Sequence, residues 1–223
     1  MIAVEITWVK GSNSWFWIRA DGKNIHIDPA YRLGSIRGPE IAEKADLVLI
    51  THAHHDHFQK KTLDDLIGDA TVVIAPPNVA RKISSTSQVI AVVPGEEHDL
   101  GWVKVKAVHA YNFGLKGYLV HKKGTCVGYL LVMDGKTLYH AGDTSFIPEM
   151  KQLGQVDLAM LPTGGGPTMD AEEAAEAAIA MGAKRVVPMH NHSKPVGELK
   201  TRLEKNQEIQ VILAEQGTPF EPF

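Results

Sequence analysis

The chain carries a single cysteine, Cys126, in 223 residues. An intramolecular disulfide and a cysteine-ligated zinc finger are therefore excluded, and a reducing compartment, the cytoplasm, is the expected location. A basic excess is also missing, because 23 Lys and Arg stand against 26 Asp and Glu, for a formal charge of −3. No global positive field draws a phosphate backbone or an anionic lipid surface, which counts against nucleic acid as a partner. No run approaches the roughly 18 apolar residues of a membrane span. Met1 to Lys10 contains Glu5 and no basic start, so neither a span nor a signal peptide is expected. Repeats, low-complexity tracts and linkers are absent, so one domain over residues 1–223 is expected. There is no G-x-S-x-G, which leaves a covalent serine route without a nucleophile. With 44% hydrophobic and 22% charged residues the composition is that of a folded globular chain.

Histidine, in contrast, is plentiful, with eleven in the chain. The placement matters more than the number. Residues 45–51, Ala-Asp-Leu-Val-Leu-Ile-Thr, form an apolar run with strand character that stops at His52. Further strands are expected at 71–75, at 103–107 leading to His109, at 127–133, at 137–139 leading to Asp143, at 158–161, and at 185–189 ending at His190. Asp134-Gly135 is a hairpin turn signal, and Tyr118 to Val120 reads as one arm of a hairpin with 127–133. Residues 171–181 are dense in helix formers, with Asp170 as N-cap, Glu173 completing a capping box and Gly182 as C-cap. Helices are also expected at 60–67 and 197–205. Strands that alternate with helices after a hairpin-rich first half imply mixed sheets covered by helices.

In His52-Ala53-His54-His55-Asp56-His57, alternate residues of an extended chain point the same way, so His52 and His54 aim two imidazoles at one point. Asp56 and His57 follow the start of a turn and aim at a second point nearby. Neutral imidazoles joined by a carboxylate are the ligands of zinc and similar divalent metals. The alternative is a polar loop that happens to be rich in histidine. Against it, His109, Asp143 and His190 each end another strand.

At these residues the chain resembles the metallo-β-lactamase superfamily of metal-dependent hydrolases, whose signature H-x-H-x-D-H is matched by His52, His54, Asp56 and His57. The resemblance extends to Gly-Ser-Asn-Ser-Trp-Phe at 11–16, Ile27-Asp28-Pro29, Tyr139-His140-Ala141-Gly142-Asp143-Thr144 and Pro188-Met189-His190. Leu161 to Gly166, followed by Thr168-Met169-Asp170, is similar to the small prokaryotic branch related to ascorbate-6-phosphate lactonase. The resemblance implies an α/β (α+β) four-layer αβ/βα sandwich, with two mixed β-sheets flanked by helices. It implies two divalent ions, with zinc favoured and manganese or iron as alternatives. His52, His54 and a third histidine would hold one ion; Asp56, His57 and His190 would hold the other; Asp143 would bridge them. His109 is the first choice for the third histidine. His121 is the alternative, as ligand or substrate contact, and Asn112 could also reach metal or substrate through its amide oxygen. Asp56 and His57 carry the catalytic assignment. Asn13 stands where relatives often have histidine.

Two such ions, about 3.5–4 Å apart, activate a bridging water as hydroxide for attack on a carbonyl or phosphorus. The expected activity is hydrolysis of a small phosphodiester, lactone or ester-like molecule. The alternatives are a nuclease and a non-catalytic metal-binding protein on the same fold. A small-molecule substrate is the partner expected, with no membrane, and a homo-oligomer is left open. The remaining histidines take plainer readings: His55 as a solvated loop residue, His26 as a surface strand position, His98 at the surface, and His140 and His192 as groups that orient ligands. Cys126 is expected to be buried in a strand, and Gly164-Gly165-Gly166 is either a tight turn or a phosphate cradle.

Overall fold

The computed structural model describes residues 3–36, 43–86, 88–192, 196–206 and 209–223, with the side chains of 116–118, 205 and 206 left aside. The chain divides into two compact units, Met1–Val92 with Ala214–Pro222, and Val93–Leu213 with Phe223. Each unit contains one seven-stranded mixed sheet. Two mixed sheets with helices are the α/β metallo-β-lactamase arrangement expected above.

In the first unit, β1 (Val4–Trp8), β2 (Phe16–Ala20) and β3 (Lys23–Ile27) form an antiparallel meander, with β14 (Pro219–Phe220) on the outer edge of β1. β1 and β2 alternate buried with half-buried residues, the period-two pattern of a strand. Asp21 and Gly22, at φ 51° and 69°, make the tight turn between β2 and β3. From β3 onward the sheet is parallel, through β4 (Leu47–Leu49), β5 (Val72–Ala75) and β6 (Val89–Ala91). The connections carry α1 (Lys60–Leu66) and the short α2 (Pro77–Ala80). Leu63, Leu66 and Val79 from these helices pack with Val48, Ile50, Val73 and Trp15.

The second unit pairs β7 (Glu97–Asp99), β8 (Lys104–Ala110), β9 (Cys126–Met133) and β10 (Lys136–His140) antiparallel. It then continues in parallel through β11 (Leu158–Pro162), β12 (Arg185–Met189) and β13 (Gln210–Val211). Asp134 and Gly135, at φ 46° and 72°, form the turn into β10 that their sequence signals. α4 (Ala171–Ala180) crosses from β11 to β12, and its N-cap is the expected one, since Asp170 Oδ1 accepts from the N–H groups of Glu172 (3.0 Å) and Glu173 (2.9 Å). α5 (Gly197–Asn206) follows β12. Ala174, Ala177, Ala178, Leu199 and Leu203 from the two helices pack with Tyr139, Ala159 and Val186 of the sheet. Cys126 is buried in β9, as expected.

Two expectations are corrected. Tyr118 to Val120 is not a hairpin arm: α3 (Gly114–Leu119) occupies that stretch, and the partners of β9 are β8 and β10. The β8–β9 pairing requires a long excursion between the strands, and a short apolar piece reads alike as strand or helix turn. His26 is not at the surface either. It is fully buried, with its ring stacked on Trp17 (centroids 5.7 Å, interplanar 13°) and its Nδ1 accepting from Trp15 Nε1 at 3.0 Å. Burial pushes its pKa down to about 3.

Candidate metal centre

In both units candidate ligands follow the carboxyl ends of strands in the parallel part of the sheet, the usual position for a site there, while His121 lies between α3 and β9. In the first unit these are β3, which leads into Asp28, and β4, which leads into Thr51 and His52. Asp28 N–H donates to Leu49 O at 2.9 Å, which carries the β3–β4 pairing one residue beyond the strand and brings the Asp28 carboxylate to Thr51. Asp28 is fully buried and adopts φ 51°, a left-handed conformation costly for a non-glycine residue. Its Oδ1 accepts from Thr51 N–H and its Oδ2 from Thr51 Oγ1, both at 2.7 Å. The same Oδ2 lies 2.7 Å from His57 Nδ1.

Proton accounting then sets both histidines. Asp28 only accepts, so His57 carries its proton on Nδ1 and presents Nε2 as a donor of electrons. Thr51 has given its one hydroxyl proton to Asp28, so at 2.9 Å it accepts from His52 Nδ1, which leaves His52 Nε2 likewise available. That Nε2 is 3.0 Å from His54 Nδ1. Two ligands of one tetrahedral ion, each about 2.0–2.1 Å from it, lie about 3.3 Å apart, so these nitrogens have the spacing of a metal-binding pair. Asp56 Oδ2 is 3.8 Å from His57 Nε2 and accepts from the Asn13 amide at 2.7 Å. His55 is exposed, as expected, and meets only Gln59 among the hydrogen bonds found for it.

In the second unit, Asp143 follows β10 and His190 follows β12. A single oxygen, Asp143 Oδ2, stands 3.6 Å from His121 Nε2 and 3.4 Å from His190 Nε2. All three side chains are buried. His190 has φ 48° and His192 φ 49°, so backbone strain is concentrated at this turn as it is at Asp28. The His192 ring meets the His190 ring edge to face, with centroids 4.6 Å apart. His140 is buried, and its Nδ1 accepts from Gly142 N–H at 3.2 Å, which shapes the turn that presents Asp143. Gly164 lies so close to His190 O and His192 Cδ2 that no Cβ fits there; this is the requirement met at the first of the three glycines.

Of the two candidates for the third histidine, the geometry brings the alternative, His121, and not the first choice, His109, to Asp143. His121 is the histidine beside Asp143, whereas His109, on β8 opposite Val127, joins no group of three or more metal-competent side chains among the described residues. The physical reason is a long-range contact. The chain leaves β8, turns through α3 and returns so that Asn112 N–H donates to His121 O at 3.0 Å, which delivers His121 rather than His109 to Asp143. Asn112 faces His121 rather than Asp143: its Oδ1 is 2.6 Å from His121 Nδ1. The sequence reading missed the roles of Asp28 and Thr51. The available signal was an aspartate ending an apolar strand just before a proline.

The donor set is neutral imidazole with carboxylate, and its hydrogen bonds leave electron-donating nitrogens turned toward one another, which fits a borderline divalent metal. No helix among the described residues is long and apolar enough to cross a membrane.

Comparison with known proteins agrees with this fold. Residues 5–190 match the β-lactamase superfamily domain. The chain is 34% identical over 209 residues to a UPF0173 metal-dependent hydrolase of Lysinibacillus sphaericus, covering 88% of this chain and 92% of that one. It is 35% identical over 186 residues to the Geobacillus thermodenitrificans relative of the same name, covering 80% and 82%. Among solved structures it resembles a protein named as a metal-dependent hydrolase from Parabacteroides distasonis, with TM-score 0.84, 32% identity, and 95% and 92% of the two chains covered. A metallo hydrolase from Ignicoccus hospitalis matches with TM-score 0.76 and 26% identity over 98% and 99%. The chain belongs to the metallo-β-lactamase superfamily and, within it, to the UPF0173 family of metal-dependent hydrolases.

Proposed function

We propose that this protein is a cytoplasmic dinuclear metallohydrolase of a small phosphodiester, lactone or ester-like substrate. In this reading the family's ligand pattern carries over as His52, His54 and His121 for one divalent ion and Asp56, His57 and His190 for the other, with Asp143 between them. The observation that carries it is the convergence of donor atoms: Nε2 of His52 and of His57, whose tautomers are fixed through Thr51 and Asp28, and Nε2 of His121 and of His190, which lie 3.6 Å and 3.4 Å from one oxygen of Asp143. Zinc is favoured, with manganese or iron as alternatives, since imidazole and carboxylate accept all three. When bound, such ions lower the pKa of a water toward neutrality and polarise the bond to be cleaved.

The chain's own groups do the rest. Asp28 and Thr51 keep His57 and His52 as neutral, oriented donors. Asp56 and His57 carry the catalytic assignment as groups that would hold a metal ion, with Asn13 donating to the Asp56 carboxylate. The formal charge of −3 supports a small substrate over a nucleic acid.

Elemental analysis of protein purified without chelator tests this reading. About two metal equivalents per chain are expected in the native protein, with a sharp fall in His54→Ala and His121→Ala but not in His109→Ala. Hydrolysis of bis(p-nitrophenyl) phosphate or a p-nitrophenyl ester should fall in step. No metal after reconstitution, or loss of metal in His109→Ala with retention in His121→Ala, would overturn the assignment.

A further inference from the structure

We propose that Asn112 is a positioning residue of the metal centre: it fixes His121 with Nδ1 protonated and Nε2 toward Asp143, so that the affinity for the ion held by His121 depends on residue 112 while the affinity for the ion held by His57 does not. The inference rests on the two-ion reading above. Its basis is the surroundings of His121 Nδ1, which lies 2.6 Å from Asn112 Oδ1 and 3.1 Å from Pro167 O. Both oxygens can only accept, so Nδ1 carries the proton and the Nε2 lone pair faces Asp143. The orientation of the amide is fixed from its other side, since Asn112 Nδ2 donates to Ser145 Oγ at 3.0 Å. Asn112 N–H also donates to His121 O, so the two residues are tied through both backbone and side chain. Asn112 is only 4% exposed and His121 fully buried, which keeps water from competing for the contact.

The contrast is with His57. Its Nδ1 meets a buried carboxylate, Asp28, at 2.7 Å. A carboxylate partner raises the basicity of an imidazole ligand, and a neutral amide raises it less, because a charged acceptor makes roughly twice as strong a hydrogen bond. His121 Nδ1 meets instead an amide oxygen and a backbone carbonyl, both uncharged. Asp56 and Asp143 offer each ion a carboxylate, so what sets His121 apart from His57 is the partner of its Nδ1, and residue 112 controls that partner.

The test is a titration of the metal-free protein with Co2+ against a chromophoric chelator, with visible absorption of the bound cobalt recorded at each step. The native chain should take up two equivalents in two resolved steps. In Asn112→Leu, which keeps the volume and removes the acceptor, one step should weaken roughly 10–100-fold while the other is unchanged. In Asn112→Asp, which restores an acceptor and adds charge, one step should be tighter than in the native chain. Two steps in Asn112→Leu equal to the native ones overturn the proposal, as does equal weakening of both steps or weakening in Asn112→Asp. If Asn112→Leu fails to fold, Asn112→Asp alone decides, since tightening is not an effect of damage. A native chain that binds no second equivalent overturns the two-ion reading itself, a failure distinct from two equivalents indifferent to residue 112.

Discussion

In the first unit, four candidate ligands come from six consecutive residues, His52 to His57, and one buried carboxylate, Asp28, orients two of them. In the second unit, His121, Asp143 and His190 come from three separate segments, and His121 is held by a neutral amide and a carbonyl. The first cluster depends on one strong point, the second on several weak ones. A compact cluster with a charged anchor should therefore fail all at once, and a dispersed one should fail by position.

Breaking the anchor is the largest expected effect. Asp28→Asn substitutes an amide for the acceptor that serves Thr51 and His57, so His57 and, through Thr51, His52 lose their fixed tautomers. Metal affinity should fall by about 100-fold, read by chelator competition, with the purified chain still folded by circular dichroism. Affinity within threefold of the native value would mean that the anchor is dispensable and the contrast between the clusters is empty.

A second effect belongs to the first unit alone. His26 has its pKa lowered to about 3, so it is neutral in the folded chain and charged in the unfolded chain below pH 6.5. The unfolded state then binds the extra proton, and stability is complete above pH 6.5 and is lost as pH falls toward 3, at about 1.4 kcal/mol per unit. At pH 4.5 the loss is about 3 kcal/mol. Urea unfolding of His26→Leu should show this slope removed; an unchanged slope between pH 6 and 4.5 would assign it to other groups.

Gly164→Ala sharpens the comparison from the other side. A Cβ at residue 164 collides with the carbonyl oxygen of His190 and with the His192 ring, so the turn that presents His190 must shift. Destabilisation of about 2 kcal/mol is expected, with weakened metal retention at His190. Native metal content in a stable Gly164→Ala protein would show that His190 tolerates displacement.

The smallest effect is a control. Asp170→Ala removes the N-cap of α4, which should cost about 1 kcal/mol in thermal or urea unfolding. Metal stoichiometry should be unchanged, since the cap touches no ligand.

Much of this was readable from the chain. Local chemistry placed β4, β5, β9, β10, β11, β12 and α4 within a few residues, because an apolar run, an Asp-Gly turn and a Ser-or-Asp cap each act within a single stretch of backbone. The same locality revealed His52, His54, Asp56 and His57, whose spacing is their geometry. Asp143 and His190 were legible as polar residues ending apolar strands. What the strand pattern did not reveal was burial on a pleat face: His26 looked solvated because neighbouring Lys23 and Asn24 are polar, yet its register with Trp17 turns it into the aromatic cluster of Trp15 and Trp17.

The amino-acid order alone points to the kind of ligand and to the contiguous half of the candidate centre, since His52 and His54 share a direction in an extended stretch and Asp56 and His57 follow within the next turn. Tertiary structure alone decides that His121 rather than His109 meets Asp143, and that Asp28 governs two histidines more than twenty residues away along the chain. Contacts of that kind form when strands pair and loops close, so their partners are set by register and loop path, neither of which any local stretch encodes.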